Sequence, residues 1–221
     1  KALAKKIGLP IVPGSENNIE NLNEAKKVSE KIGYPVIIKS TNGGGGRGIK
    51  IVKNENELKK NLELAKKEAE QSFGNNEVYI EKYIQNPRHI EIQIIGDKFG
   101  NIIHLGEREC SIQRRNQKIV EECPSPVMTE NERKKICSLT VEAMNKIKYF
   151  NLGTVEYLYK DGNFYFIEMN TRLQVEHTIT EQVYNIDIVK EQINTSSGKK
   201  ISVKQNDIKK NGHSIEFRIN A

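Results

Sequence analysis

Two carboxylates on a predicted β-hairpin are the clearest candidates for metal chemistry in this sequence. The stretch 154-TVEYLYKDGNFYFIEMN-170 has two strand-like runs about an Asp161-Gly162 turn, so Glu156 and Glu168 fall opposite each other or one step off. Magnesium prefers a few carboxylates together with phosphate oxygens and water. The hairpin therefore predicts a Mg²⁺ site on neighbouring strands.

A row of polar residues continues along the second strand of this hairpin. At every second position stand Glu168, Asn170, Arg172, Gln174 and Glu176. If the chain stays extended, all five side chains point the same way. Such a row is often only the solvated side of a sheet. Here it follows the apolar run FYFI and combines both charge signs with two amides, which favours a cleft that holds metal, phosphate and an anion.

A glycine-rich loop in 34-YPVIIKSTNGGGGRGIKIV-52 indicates phosphate binding. Gly43, Gly45 and Gly48 match G-x-G-x-x-G, but a strand-like IKIVK follows instead of the helix that a dinucleotide site requires. A P-loop is excluded because the dipeptide after Gly48 is Ile-Lys. We expect the loop to join two antiparallel strands and to cover phosphates with its N–H groups. A flexible surface turn is the alternative.

Two more segments concentrate polar groups. The first, 107-ERECSIQRRNQKIVEE-122, is either a strip that grips phosphate or another small anion, or a solvated loop. Its amide and basic side chains lie within six residues, at Gln113, Arg114, Arg115 and Lys118. The second, 80-IEKYIQNPRHIEIQ-93, carries a Glu-Lys pair at the end of a strand. This pair is either a surface ion pair or a hinge that binds a nucleotide.

The composition fits a small anionic ligand. The 221 residues carry a net charge of +6 with interspersed signs and only 6% aromatic residues, so nucleic acid is weakly indicated as a partner. No apolar run approaches membrane-spanning length. The three cysteines form no C-x-x-C motif, and we expect free thiols in a reducing compartment, the cytoplasm or a plastid stroma. The sequence starts without Met and ends in a strand-like run, which indicates truncation.

Hydrophobic periodicity and turn residues predict the elements that position these groups. Helices are predicted over about 21–32, 55–71 and 129–147. Strands are predicted at 35–40, 49–53, 77–84 and 89–96, and the last of these places His89, Glu91 and Gln93 on one face. The pieces before the hinge form a small α+β unit, and longer strands follow from residue 87.

Several strings in order resemble one family. VIIKSTNGGGGRG, EKYIQNPRHIEIQ, CSIQRRNQKIVEE, FYFIEMNTRLQVEHTITE and GHSIEFRINA together resemble biotin carboxylase, the ATP-grasp subunit or domain of acetyl-CoA carboxylase and related biotin-dependent carboxylases. The resemblance runs from about residue 8 to the end. It implies an α+β ATP-grasp fold in which 1–10 end a preceding linker or helix, 11–83 form a small lid, and 84–221 form part of a larger antiparallel-sheet catalytic core, truncated at both ends.

The resemblance also implies a reaction. ATP and bicarbonate would form carboxyphosphate with Mg²⁺ or Mn²⁺, and the carboxyl group would pass to biotin on a carrier protein. This is the first half-reaction of acetyl-CoA carboxylase, which supplies malonyl-CoA for fatty acid synthesis. The implied partners are a biotin carboxyl carrier protein, a carboxyltransferase and, in the full-length parent, a second copy. The alternatives are the biotin carboxylase domain of pyruvate or propionyl-CoA carboxylase, another ATP-grasp ligase such as carbamoyl-phosphate synthetase, and a non-catalytic ATP-binding fragment.

The resemblance assigns roles to individual residues. The implied ATP contacts are Lys39, Gly45, Gly46, Glu81, Lys82, Ile84, His89, Gln113, Asn116, Glu156, Leu158 and Glu168. The implied metal ligands are Glu156, Glu168 and Asn170. The implied bicarbonate pocket is Lys118, Arg172, Gln174, Val175 and Glu176. Within it Lys118, Arg172 and Glu176 are catalytic, with Glu176 as the base, and Arg172 and Arg218 meet biotin. Many members have His where this chain has Asn116, which cannot carry charge, so we expect a weaker ATP contact there.

Overall fold

The computed structural model describes residues 1–42 and 48–219. The predicted phosphate-covering glycines, Gly45 and Gly46, therefore lie outside the described residues. The chain divides into two compact units. The unit made of 12–85 and 115–117 is called the small unit below, and the unit made of 1–11, 86–114 and the chain from 118 onward is called the large unit.

Helices and strands alternate in both units. In chain order the helices are α1 (Ala2–Ile7), α2 (Leu22–Ile32), α3 (Glu55–Phe73), α4 (Glu130–Lys146), α5 (His177–Tyr184) and α6 (Ile188–Ser196). The strands are β1 (Val36–Ser40), β2 (Ile49–Val52), β3 (Val78–Lys82), β4 (Arg88–Gly96), β5 (Ile102–Arg114), β6 (Gln117–Cys123), β7 (Asn151–Lys160), β8 (Asn163–Asn170) and β9 (Ser214–Phe217). A short 3₁₀ turn covers Gln205–Asp207.

The small unit is an antiparallel sheet in the order β2-β1-β3, packed against α2 and α3. The helix stripe that buries against the sheet consists of Leu58, Leu62, Ala65 and Ala69, spaced three or four residues apart as one face of a helix requires. Asn21 begins α2 by accepting a hydrogen bond from the backbone N–H of Glu24. The predicted helices at 21–32 and 55–71 are confirmed, with α3 ending two residues later than predicted.

The large unit is built on a six-stranded antiparallel sheet in the order β8-β7-β4-β5-β6-β9. Period-two alternation in β4 sends Ile90, Ile92 and Ile94 into an apolar core with α1 and α4. The same alternation sends Glu91 and Gln93 to the opposite face, where both are buried. This sheet therefore has one apolar face and one face that carries buried polar groups.

The predicted hairpin is confirmed as β7 and β8. Asp161 and Gly162 have φ values of 48° and 79°, the left-handed conformations that a tight two-residue turn needs. Beyond the hairpin, α5 and α6 pack Ile179, Val183 and Ile188 against the polar-bearing side of the sheet. The sequence analysis did not predict these two helices.

Two features expected from composition are also borne out. Cys110, Cys123 and Cys137 are buried and unpaired, as the absence of a C-x-x-C motif predicts. Within the described ranges, every helix is too short or too polar to cross a bilayer.

Candidate active site

The two hairpin acids face each other across β7 and β8. Glu156 and Glu168 are cross-strand partners, so their side chains project from the same face of the sheet. Glu156 is buried and Glu168 is exposed. Asn170 lies next along β8 and donates a 2.9 Å hydrogen bond from Nδ2 to Oε1 of Glu156. The structure thus brings the predicted metal ligands together at one end of the hairpin.

Lys118 lies at the centre of the site. Its Nζ is 3.0 Å from Oε1 of Glu156 and 2.7 Å from Oε1 of Glu176, and it also contacts Glu91. All three donors of the ammonium group are therefore directed at carboxylates. Burial by itself would lower the pKa of Lys118, but the facing carboxylates outweigh it and raise the pKa. Lys118 is therefore charged throughout the working pH range.

Glu156 is held in its ionised form. Burial by itself would raise its pKa, but the His89 imidazole, 2.9 Å from Oε2, acts together with Lys118 to bring the pKa down to about 2. Gln174 adds a 2.9 Å hydrogen bond from Nε2 to Oε1. A buried carboxylate that is always ionised is a suitable ligand for a hard cation.

Glu176 reaches the same cluster from the start of α5. Its Oε1 lies on Lys118, and its Oε2 accepts a 3.0 Å hydrogen bond from a terminal guanidinium nitrogen of Arg218. Its side chain is buried. Glu176 is thus a buried carboxylate with a different cation on each oxygen.

The prediction that the row from Glu168 to Glu176 points one way is wrong beyond Asn170. The strand ends at Asn170 because the chain then turns into α5. Gln174 and Glu176 still reach the cluster, but through this turn rather than along an extended strand. Arg172 is exposed and donates to the carbonyl of Leu173 at 3.2 Å and to Oδ1 of Asn170 at 3.3 Å.

The remaining large-unit positions lie around this cluster. Val175 is 60% exposed, beside the buried Gln174 and Glu176. Leu158 is half-buried on β7 as the partner of His89 on β4. Gln113 is exposed near the end of β5, where its Nε2 donates to the carbonyl of Cys110 at 2.9 Å.

Glu121 and Arg218 form a second ion pair beside Glu176. A terminal nitrogen of Arg218 lies 2.7 Å from Oε1 of Glu121, and that carboxylate is fully buried on β6. Burial raises the pKa of Glu121 to about 6, and the nearby charge of Arg218 offsets this only in part. Sequence reasoning did not select Glu121, because its importance depends on β6 pairing with β9.

The predicted small-unit residues group on β1 and β3. Lys39 forms a 2.9 Å ion pair with the buried Glu81, from neighbouring antiparallel strands. Lys82 donates 2.9 Å hydrogen bonds to the carbonyls of Gly33 and Tyr34, at the end of α2. Ile84 is half-buried just after β3. The predicted ATP contacts of this unit are therefore adjacent, with Lys39 and Glu81 directly paired.

Asn116 lies in the turn that follows β5. Arg115 and Asn116 have φ values of 53° and 64°. Asparagine adopts this left-handed conformation more readily than most residues. The Asn116 side chain is exposed.

A divalent cation fits the donor set at the hairpin. Glu156 and Glu168 supply carboxylate oxygens from one face and Asn170 supplies an amide oxygen, and such hard donors suit Mg²⁺. His89, Glu91 and Glu156 also each offer one ligand atom within 4.8 Å of the others. Glu91 was not selected from the sequence, although its place in the alternation of β4 with His89 was evident.

Antiparallel α+β units with these clusters define an ATP-grasp protein, and the comparisons with known proteins agree. Residues 1–204 match the family model described as carbamoyl-phosphate synthase L chain, ATP binding domain. The chain belongs to this family. Its relatives at about half identity are biotin carboxylases.

Three of these relatives can be given as examples. Biotin carboxylase 2, chloroplastic, of Populus trichocarpa is 54% identical over 218 residues, which are 98% of this chain and 41% of that protein. The biotin carboxylase domain dimer of Hydrogenobacter thermophilus 2-oxoglutarate carboxylase, with MgADP, ADP and bicarbonate, has a TM-score of 0.92 and 52% identity, covering all of this chain and 49% of that one. Biotin carboxylase from Campylobacter jejuni, in a β-γ-ATP complex, has a TM-score of 0.91 and 49% identity, covering 99% and 49%. The chain spans less than half the length of these relatives.

Proposed function

We propose that this chain provides the nucleotide and bicarbonate sites of a biotin carboxylase. The reaction is the ATP-dependent carboxylation of biotin by bicarbonate through carboxyphosphate. The observation that carries the proposal is the position of Glu176, a buried carboxylate between Lys118 and Arg218. Relatives that carry this name, and a solved relative that binds MgADP and bicarbonate, support it.

Glu176 is the proposed base for bicarbonate. Bicarbonate is a poor nucleophile until it loses a proton, so a carboxylate within hydrogen-bond reach assists the reaction. Lys118 supplies the cation that binds the anion next to this base. The remaining contacts to bicarbonate are assigned to Arg172, Gln174 and Val175.

The hairpin is the proposed site of Mg²⁺ or Mn²⁺. Glu156, Glu168 and Asn170 would hold the ion, which neutralises charge on the phosphoryl group when ATP is bound. The assigned nucleotide contacts of the large unit are His89, Gln113 and Leu158. Those on the small unit and in the turn are Lys39, Glu81, Lys82, Ile84 and Asn116. Gly45 and Gly46 remain predicted phosphate contacts outside the described residues.

The proposed biotin contacts are Arg172 and Arg218. Deprotonated biotin carries negative charge on its ureido oxygen, and an arginine stabilises such a charge in a site that excludes water. Arg172 is exposed with its guanidinium near Asn170, and Arg218 contacts the proposed base. We therefore assign binding of the developing charge to these two residues.

The proposed partners follow from this reaction. A biotin carboxyl carrier protein would bring biotin to the site, and a carboxyltransferase would receive the carboxyl group from it. A dimer of the full-length protein is proposed because the Hydrogenobacter relative forms one. Acetyl-CoA carboxylase, with malonyl-CoA as its product, is the proposed setting. A cytoplasmic or plastid-stroma location remains a prediction.

The test is ATP hydrolysis by the full-length protein. We expect ADP release to require bicarbonate and to be stimulated by free biotin. Dependence on ammonia instead of biotin would indicate the carbamoyl-phosphate synthetase reaction. Absence of nucleotide binding would contradict both enzymatic functions and favour a non-catalytic module.

A further inference from the structure

Arg108 on β5 is a fully buried arginine whose entire guanidinium is satisfied by side chains. Its Nε donates to Oε1 of Glu91 at 2.6 Å, and one terminal nitrogen donates to Gln93 at 2.8 Å and Thr180 at 2.9 Å. The other terminal nitrogen lies 3.4 Å from both Thr154 and Gln174. The planar fork of arginine is therefore used in full, on strands β4 and β7 and on α5.

One of these contacts fixes the orientation of the Gln174 amide. Arginine can only donate, so the atom of Gln174 that faces Arg108 must be the amide oxygen. The amide nitrogen then points to Glu156, where it donates a 2.9 Å hydrogen bond to Oε1. Without Arg108, the two orientations of this amide would be much closer in energy.

A second contact fixes the cation of the proposed bicarbonate pocket. Glu91 is fully buried, and its two oxygens are shared between Arg108 and Lys118. Burial by itself would raise the pKa of Glu91, but Arg108 and Lys118 outweigh it and lower the pKa. The ionised Glu91 in turn holds Lys118 next to Glu176. Arg108 thus acts on the pocket through Glu91 as well as through Gln174.

We propose that Arg108 is a positioning residue for the bicarbonate pocket, holding the Gln174 amide and, through Glu91, the Lys118 ammonium in the geometry that the substrate requires. This proposal rests on the proposed function. Arg108 lies beneath the pocket and is not assigned a contact with bicarbonate. Its role requires the fork as well as the charge, because a lysine ammonium has three donors where arginine has five.

The first test is Arg108→Lys in the full-length protein, followed by steady-state kinetics of bicarbonate-dependent ATP hydrolysis. We expect KM for bicarbonate to rise by about tenfold or more, because small displacements in a site have large effects on rate and binding. We expect KM for ATP to change by less than about twofold, because Arg108 makes no contact with the proposed ATP residues on the small unit.

Arg133→Lys is the matched control for this substitution. Arg133 is also buried in the large unit, where its Nε lies 2.8 Å from both oxygens of the fully buried Glu107. Both substitutions replace the arginine of a buried ion pair, and we expect both to lower thermal stability. Only Arg108→Lys should raise KM for bicarbonate. A similar rise in both variants, or in neither, would overturn the positioning role.

A milder pair of variants decides the question if Arg108→Lys does not fold. Thr180→Val removes an acceptor from Arg108, and Thr140→Val alters an equally buried threonine that pairs with Tyr157 in the apolar core. We expect Thr180→Val alone to raise KM for bicarbonate, by about threefold. Equal KM values in the two variants would overturn the proposal.

The wild-type measurement separates the two levels of the argument. If the wild-type protein hydrolyses ATP without any dependence on bicarbonate, the proposed function fails and the positioning role fails with it. If wild type depends on bicarbonate but Arg108→Lys and Thr180→Val leave its KM unchanged, only the positioning role fails. A selective change in KM for bicarbonate supports both.

Discussion

The Nζ of Lys118 lies 2.7 Å from Oε1 of Glu176, and this ion pair is largely buried. The other oxygen of Glu176 is 3.0 Å from Arg218. Both cations favour the ionised carboxylate, the form that a base must have before it accepts a proton. An anionic substrate would compete with Glu176 for Lys118 and would arrive beside the base. One lysine can therefore both store and position the reactive groups.

Glu176→Gln tests the base directly. The amide keeps the shape of the side chain and can still accept from Lys118, but it cannot take a proton from bicarbonate. We expect bicarbonate-dependent turnover to fall by about 10²–10⁴-fold, while ATP affinity measured by calorimetry changes little. Glu142→Gln, at an exposed position on α4, is the control. Unchanged turnover in Glu176→Gln would remove this residue as the base.

Glu168→Lys tests the metal site on the hairpin. The substitution places an ammonium group across from Glu156, where a divalent cation is proposed to bind. We expect loss of magnesium-dependent ATP binding, because two cations would then compete for the same carboxylates. Calorimetric titration with ATP, with and without Mg²⁺, measures the effect, and Glu142→Lys serves as the control. MgATP affinity equal to that of wild type would show that the ion binds elsewhere.

Glu121 gives a prediction about pH. Its pKa in the folded protein is about 6, above the ordinary value of 4.5, so folding takes up a proton between these values. Its contribution to stability is therefore fully present below about pH 4.5 and is lost as pH rises through 6. We expect the stability of wild type relative to Glu121→Gln to fall by about 2 kcal/mol over this range. Urea unfolding at several pH values measures it, and a difference independent of pH would contradict the assigned environment.

Thr129 gives a prediction about helix α4. Thr129 and Glu132 form a capping box, in which each side chain bonds the backbone N–H of the other residue. We expect Thr129→Ala to lower the free energy of unfolding by about 1 kcal/mol, and Thr129→Ser to be nearly neutral because it keeps the hydroxyl. Equal stability of both variants in urea unfolding would contradict the role of this cap.

The elements that could be predicted from the sequence are those with local signals. The turn at Asp161 and Gly162 fixes the register that pairs Glu156 with Glu168, and helix caps such as Asn21 mark where helices begin. These features depend on residues only a few positions apart. Local patterns therefore located the hairpin and the predicted helices.

The parts that were missed depend on distant pairing. Arg108 and Glu121 matter because strands far apart in sequence bring them to Gln174 and Arg218. The extended row failed after Asn170, because tertiary packing of α5 ended the strand where the polar alternation in the sequence continued. Period alone could not separate a strand from a turn that returns its side chains to the same cluster.

Transfer of label from radiolabelled bicarbonate to free biotin tests the central claim most directly. The full-length protein, supplied with ATP and Mg²⁺, should produce labelled biotin, and omission of ATP should abolish the label. Glu176→Gln should bind ATP and yield almost none. If wild type binds MgATP and hydrolyses it without labelling biotin, the site does not carry out biotin carboxylation.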